Sequence, residues 1–284
     1  MTATGTRVWP ALGGALAALV VGLFLLIAVF PFLWMLRTAV TPPGDAFSLT
    51  PSLVPRRLTA ENVVRVVTSP NVPFVRYFVN TCVISLATTA LTVVLGGWGA
   101  YALARLDFRG KRPFGLALLF IQMFPGILMV IPLFIVFTRL RLIDNFLGLV
   151  IAYTTGSLPF VVWLLRGYFL SIPREMEDAA RIDGCTRLGT LFRIVLPLAA
   201  PGLAAVATLA FVHAWNEFFF AYVLINDSEK RVLAIGLASY VEQFTTDYGG
   251  LFAMATLTTL PVVLVFMLFQ RYLVGGLTAG SVKG

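Results

Sequence analysis

Six apolar runs, each long enough to cross a lipid bilayer, dominate the sequence: residues 12–36, 74–104, 113–137, 146–169, 198–224 and 250–274. A helix rises about 1.5 Å per residue, so a hydrocarbon core of about 30 Å needs about 20 apolar residues. Inside lipid a spanning backbone must satisfy its own polar groups, which for continuous runs of this length means helices. The expected fold class is therefore all-α integral membrane, six transmembrane helices in one domain over residues 1–284. Composition agrees: the chain is 59% hydrophobic and 12% charged, with a mean hydropathy of +0.91, and a soluble domain carries about twice that charge. The net charge of +8 comes from basic residues scattered between apolar runs. Membrane topology explains that scatter, and no nucleic-acid partner is expected.

In chain order, the first run carries Gly14, Ala18 and Gly22, a row of small residues that lets a second helix approach closely. It is too long for the apolar core of a secretory leader and no cleavage site follows it, so it is expected to remain as the first span. Residues 41–73 are polar and proline-rich, with the spacing of a short amphipathic helix before Pro70. Asn80, Ser85, Thr88, Thr89 and Thr92 make one side of the second run unusually polar for lipid. Arg105, Arg109, Lys111 and Arg112 crowd one short loop, the mark of a cytoplasmic turn. Gln122, Pro125, Gly126 and Pro132 interrupt the third run, and Gly156 and Pro159 the fourth. Cys82 lies in a span and Cys185 in a loop, so no disulfide is expected, and no spacing suggests a metal site.

Between the fourth and fifth runs, residues 171–197 form the longest charged, helix-forming segment of the chain. Pro173 suits a first helical turn, where its missing N–H costs nothing. Glu175 and Glu177 follow at the positive end of that helix, Glu177 and Arg181 are spaced as an i,i+4 pair, and so are Arg174 and Asp178. Gly184 supplies a left-handed stop. Ala179 and Ala180 leave a flat small-residue face that suits docking better than burial. Leu188, Leu191, Phe192 and Val195 then recur as one apolar stripe of a second helix, which Pro197 and Pro201 interrupt.

Asp178-Ala179-Ala180, three residues, Gly184, nine residues, Ile194, one residue, then Leu196-Pro197 resembles the EAA loop of binding-protein-dependent ABC importer permeases, with Asp178 where glutamate is usual. From about Thr59 onward the chain is similar to the carbohydrate-uptake branch of that family, the type of the second maltose-permease subunit. Met123-Phe124-Pro125-Gly126, Ala214-Trp215-Asn216-Glu217-Phe218, Gln270-Arg271-Tyr272 and Gly276-Leu277-Thr278-Ala279-Gly280 carry that similarity. It implies a type I ABC importer permease (MetI-like) fold with a cytoplasmic coupling helix that fits a cleft on an ATPase. Carried over residue by residue, the ATPase-coupling set is Glu177, Asp178, Ala179, Ala180, Asp183, Gly184, Ile194, Leu196 and Pro197. The tail, residues 275–284, would add a second ATPase contact through Gly276, Leu277, Thr278, Gly280 and Lys283. Part of residues 225–248 would meet a solute-binding protein.

The resemblance further implies a second permease subunit, two ATPase subunits and an extracytoplasmic solute-binding protein as partners, besides membrane lipid. It implies alternating access for a sugar or oligosaccharide, in a bacterial or archaeal cell membrane with both termini cytoplasmic. A glycerol phosphate or another polar solute is the alternative within the same branch. Only a slight majority of the 21 lysines and arginines fall on the coupling-loop side, so orientation leans on the resemblance.

No catalytic residue is assigned. The phosphate-binding pattern GxxxxGK[ST] is absent. ATP and magnesium are accordingly expected in separate ATPase subunits, with no cofactor bound by this chain. His213, Asn216 and Glu217 are spaced to share one helix face in the fifth run, and a carboxylate in a span is by default functional. With Asn80 they are the candidates for a translocation path; hydrogen bonding to a neighbouring helix accounts for them equally well. Phe218, Phe219, Phe220 and Tyr222 could stack on sugar, but an interfacial belt is the favoured reading. A stand-alone secondary carrier would need charged pairs and repeat symmetry, and a membrane enzyme clustered His, Asp, Glu or Cys. The sequence offers neither pattern.

Overall fold

The computed structural model describes residues 9–43, 45, 53–55, 57–241 and 246–279, the backbone alone at 9–13, 15 and 273–279. Among them every regular element is a helix: α1 (Trp9–Ala39), α2 (Glu61–Thr68), α3 (Phe74–Arg105), α4 (Lys111–Gln122), α5 (Val130–Arg139), α6 (Phe146–Ser171), α7 (Arg174–Ile182), α8 (Arg187–Thr190), α9 (Leu196–Leu198), α10 (Ala200–Asn216), α11 (Phe219–Leu224), α12 (Leu233–Ala238) and α13 (Tyr248–Ala279). A π-helical turn, Leu191–Val195, joins α8 to α9, and 3-10 turns cover Gly126–Met129 and Ser228–Lys230.

By length and composition four helices among the described residues can cross a membrane, and two bent pairs raise that to six if each counts as one span. The first bent pair corrects the picture of a straight third span; the second lies where Pro197 and Pro201 were expected to interrupt the helix before the fifth. Lys111–Gln122 and Gly126–Arg139 meet at 99°. Pro125 disfavours the helical conformation at Phe124, and is itself extended with ψ 123°. Arg187–Leu198 meets α10 at 78°, with Pro201 in the first turn of α10, where the missing N–H is harmless. At its other end α10 stops at Asn216; Glu217 is extended (ψ 126°), and α11 begins two residues later. The last helix runs through residues 275–277 to Ala279, past the expected end of the sixth span.

The chain divides into two compact units. One joins residues 1–69 to residues 240–257. Here α1 is exposed from Leu16 to Leu33, as a lipid-facing helix is, and nothing lies within 4 Å of where side chains on Gly14 and Gly22 would start. Buried Asn62 of α2 donates to the carbonyls of Ala39 (3.1 Å) and Thr41 (2.7 Å), fixing the end of α1. Arg65 reaches Asp247 at 3.1 Å, and Asp247 accepts from the Gly250 amide at 3.0 Å, capping α13.

The other unit holds residues 70–239 and 258–284. Its frame is α3 laid along α6, with α10 against both. Close approach is built in where glycines face neighbours: a Cβ on Gly96 would stand 2.6 Å from Val161, and one on Gly202 2.5 Å from the Tyr168 ring. Ser85, Thr88 and Thr92, on the polar side of the second run, are fully buried within the protein. One apolar core gathers Ile84, Leu149, Tyr153, Leu224, Val232 and Ile235; the other gathers Ala100, Leu103, Leu165, Phe169, Leu191 and Val195. So α12, inside the stretch read as a polar loop, is built into the first core. The surface helix that follows α7 is built into the second.

Candidate functional site

The site grows from the two-residue turn that ends α6. Ile172 is buried, and Pro173 (φ −57°, ψ 136°) stands outside the helix as its cap, so α7 begins one residue later than a first-turn proline would set it. At the far end Gly184 adopts φ +87°, the left-handed conformation open to glycine. The Cys185 amide donates to the Ala180 carbonyl at 2.9 Å and the Gly184 amide to that of Arg181 at 3.1 Å, the Schellman arrangement that ends a helix sharply. Thr186 then caps α8 by accepting the Gly189 amide at 3.1 Å. The result is a rigid nine-residue rod with defined ends.

Its two faces differ. Glu177 and Ala180, one turn apart, are buried at 8% and 7% exposure. Met176, Ala179 and Ile182, also spaced three apart, are exposed, Ile182 at 87%. The alanine pair is thus divided between the faces: Ala179 looks out and Ala180 packs in. The expected ion pairs are also different. Glu177 turns inward to Arg105 rather than to Arg181, and Asp178 faces Arg181 across 4.0 Å on the exposed side. Asp183 and Gly184 are exposed, Ile194 and Leu196 half-buried, and Pro197 exposed. Leu188, Leu191, Phe192 and Val195 do not form one stripe. Leu191 and Val195 are in the core while Leu188 and Phe192 are exposed at 67% and 56%, because the π turn changes which positions share a face.

The translocation-path candidates separate. Asn80 is buried, and its amide donates to the carbonyls of Glu229 and Arg231, each at 2.9 Å, so it clamps the loop before α12. Glu217 lies off the helix that carries His213 and Asn216. Its carboxylate accepts from the amides of Phe220 (3.0 Å) and Ala221 (3.3 Å), capping α11. His213 and Asn216 remain exposed on α10, with the His213 Nε2 3.8 Å from the point where a Gly156 side chain would begin. Of the tail, Gly276, Leu277 and Thr278 continue α13, and Gly280 and Lys283 lie outside the described residues. Among the described residues no group of three or more His, Cys, Asp or Glu gathers as a metal site.

Several residues that hold this arrangement carry no local signal. Arg105 reads as a topogenic charge, yet it is buried against Glu177. Tyr101 donates to the same carboxylate at 3.2 Å. Asp144 accepts from the amides of Asn226 (2.6 Å) and Asp227 (2.8 Å), tying the turn before α6 to the loop after α11. In that loop the Glu229 amide and then Lys230 hold the Asp227 carboxyl below its ordinary range. Buried Trp215 donates to the Thr258 carbonyl at 3.1 Å.

Residues 92–278 match the family described as "Binding-protein-dependent transport system inner membrane component". The inner membrane ABC transporter permease protein YcjP of Escherichia coli is 41% identical, over 92% of this chain and 94% of that protein. The trehalose/maltose transport system permease protein MalG of Thermococcus litoralis is 36% identical, over 94% of this chain and 96% of that one. Among solved structures, a chain of a bacterial ABC transporter involved in the import of the acidic polysaccharide alginate superposes with a TM-score of 0.81 at 27% identity, covering 95% of this chain and 99% of that one.

Proposed function

The chain belongs to the family of binding-protein-dependent transport system inner membrane components, and on that premise we propose that it is one of two permease subunits of an ATP-driven oligosaccharide importer. The single observation that carries the coupling role is the outward stripe Met176, Ala179 and Ile182 on a rod stopped sharply at both ends. Apolar side chains in water on a charged helix mark a surface that a partner covers. That partner is an ATPase subunit, one for each permease, and it binds the ATP and magnesium; this chain binds no cofactor and has no catalytic residue. The docking surface includes Asp178, Asp183 and Gly184 on the rod and exposed Pro197 further along the chain, and the residues from Gly276 on provide a second contact. The coupling loop and both termini are cytoplasmic. On the opposite side, part of residues 225–248 receives a solute-binding protein. Closure of the ATPases pushes α7, and the spans answer by alternating access.

The sugar follows from the relatives, one named for trehalose and maltose and one structure named for alginate import. Identifying by mass spectrometry the molecule that the co-purified binding protein carries should give an oligosaccharide, taken up by vesicles holding the whole complex only when ATP is present. A glycerol phosphate in its place overturns the sugar. Uptake by this chain alone, with no ATPase, overturns the permease reading.

A further inference from the structure

Glu177 is in the coupling helix, but its carboxylate is spent inside the protein. One oxygen meets the Nε of Arg105, and the other accepts the Tyr101 hydroxyl at 3.2 Å. The guanidinium of Arg105 also donates through Nη2 to the Ile172 carbonyl at 2.7 Å. Both charged side chains are close to nine-tenths buried or more, at 6% and 10% exposure. Three pieces of chain therefore converge on one ion pair: the last turn of α3 (Tyr101 and Arg105), the turn that ends α6 (Ile172) and the inner face of α7 (Glu177).

We propose that the Arg105–Glu177 pair is the joint through which movement of α7 reaches α3. This rests on α7 being the docking helix. By covalent connection α7 can pull on α6, across Ile172 and Pro173, and on α8, across residues 183–186, but not on α3. Apolar contacts such as those of Ala180 are non-directional and let a helix slide. A buried guanidinium–carboxylate contact fixed by two further hydrogen bonds is directional, and separating it strands a charge away from water. A push on α7 therefore drags the end of α3 rather than slipping past it. Because α3 is the helix most extensively packed against α6 and also carries α10, the push enters the frame of the unit at a point that no neighbouring chain link reaches. Arg105 and Tyr101 are positioning residues for transport in this sense: they touch neither solute nor ATPase.

The test uses the whole reconstituted complex with Arg105→Gln, Glu177→Gln, Tyr101→Phe and the exchange Arg105→Glu/Glu177→Arg. Solute uptake and ATP hydrolysis are measured on the same vesicles. Each charge-neutralised variant is expected to lower uptake per ATP about tenfold, within the range of coupling between linked sites, and Tyr101→Phe to lower it less. The exchange is expected to restore most of the loss. Uptake and hydrolysis falling in proportion would make the pair a simple staple and overturn the proposal, as would an unchanged ratio or an exchange that restores nothing. Where the charge variants do not accumulate, Tyr101→Phe decides, since it keeps both charges. Cross-linking from Ala179→Cys to the ATPase separates the two readings. No cross-link in the otherwise unaltered complex defeats the docking helix itself; cross-links that persist in variants with lowered uptake per ATP support the joint.

Discussion

A carboxylate that leaves water must replace its lost hydration, and Glu177 and Glu217 do so by different means. Glu177 takes a guanidinium and a phenol, Glu217 the free amides at the start of α11, where the helix dipole favours a negative group. The consequence for Glu217 is that both its oxygens are committed, leaving His213 and Asn216 as the polar side chains exposed on α10. Close packing is equally particular at single positions. Gly202→Ala puts a methyl 2.5 Å from the Tyr168 ring carbon nearest its backbone, an atom that cannot swing away. The expected loss is about 1–3 kcal/mol, read as a lower midpoint of thermal unfolding in detergent, whereas Gly97→Ala, with nothing within 4 Å of the added methyl, should keep or slightly raise the midpoint because alanine favours a helix interior. The sequence spells out neither difference. Gly97 and Gly202 look alike as letters, and the ring that distinguishes them comes from another helix.

Elements here are held by long-range polar clamps as much as by apolar faces. The second run is the clearest case: most of its polar side is buried within the protein, and Asn80 and Thr81 use theirs to hold the loop around α12. Thr81 accepts the Leu233 amide at 2.9 Å while Asn80 bonds two carbonyls on the same loop. Asn80→Leu removes both bonds, at about 1 kcal/mol for each hydrogen bond lost. The loop should then open to trypsin at Lys230 and Arg231, with the helices around it intact; unchanged cleavage would mean that Asp144 and Thr81 hold the loop alone. The rod α7 was more legible, because a proline cap, a glycine stop and a charged run are local signals that need no partner. Its inward and outward faces were not, since Ala179 and Ala180 are the same residue type and differ only in which of them the surrounding chain covers.

At the scale of the molecule, the number of crossings depends on how a bent pair is counted. Both bends fall where prolines and a broken hydrogen-bond ladder coincide with a change of direction. Orientation is open to a direct measurement, because Cys185 lies half-exposed beside the rod and Ser228 sits in the loop that Asn80 and Asp144 hold. A membrane-impermeant thiol reagent should label Cys185 in inverted vesicles but not in intact cells, and a Ser228→Cys variant should show the reverse pattern once Cys185 is serine. Labelling of Cys185 from outside the cell would invert the proposed topology. The membrane class, the approximate positions of the apolar runs and the capped, charged rod were determined by the sequence alone, because lipid-length apolarity and helix caps act through neighbours in the chain. Only the tertiary structure decided that Glu177 belongs to Arg105, 72 residues earlier, that Glu217 caps a helix, and that the third run turns through 99°. Those outcomes depend on which distant groups burial brings together, and an unmet charge or carbonyl takes the best partner within reach, wherever in the chain it comes from.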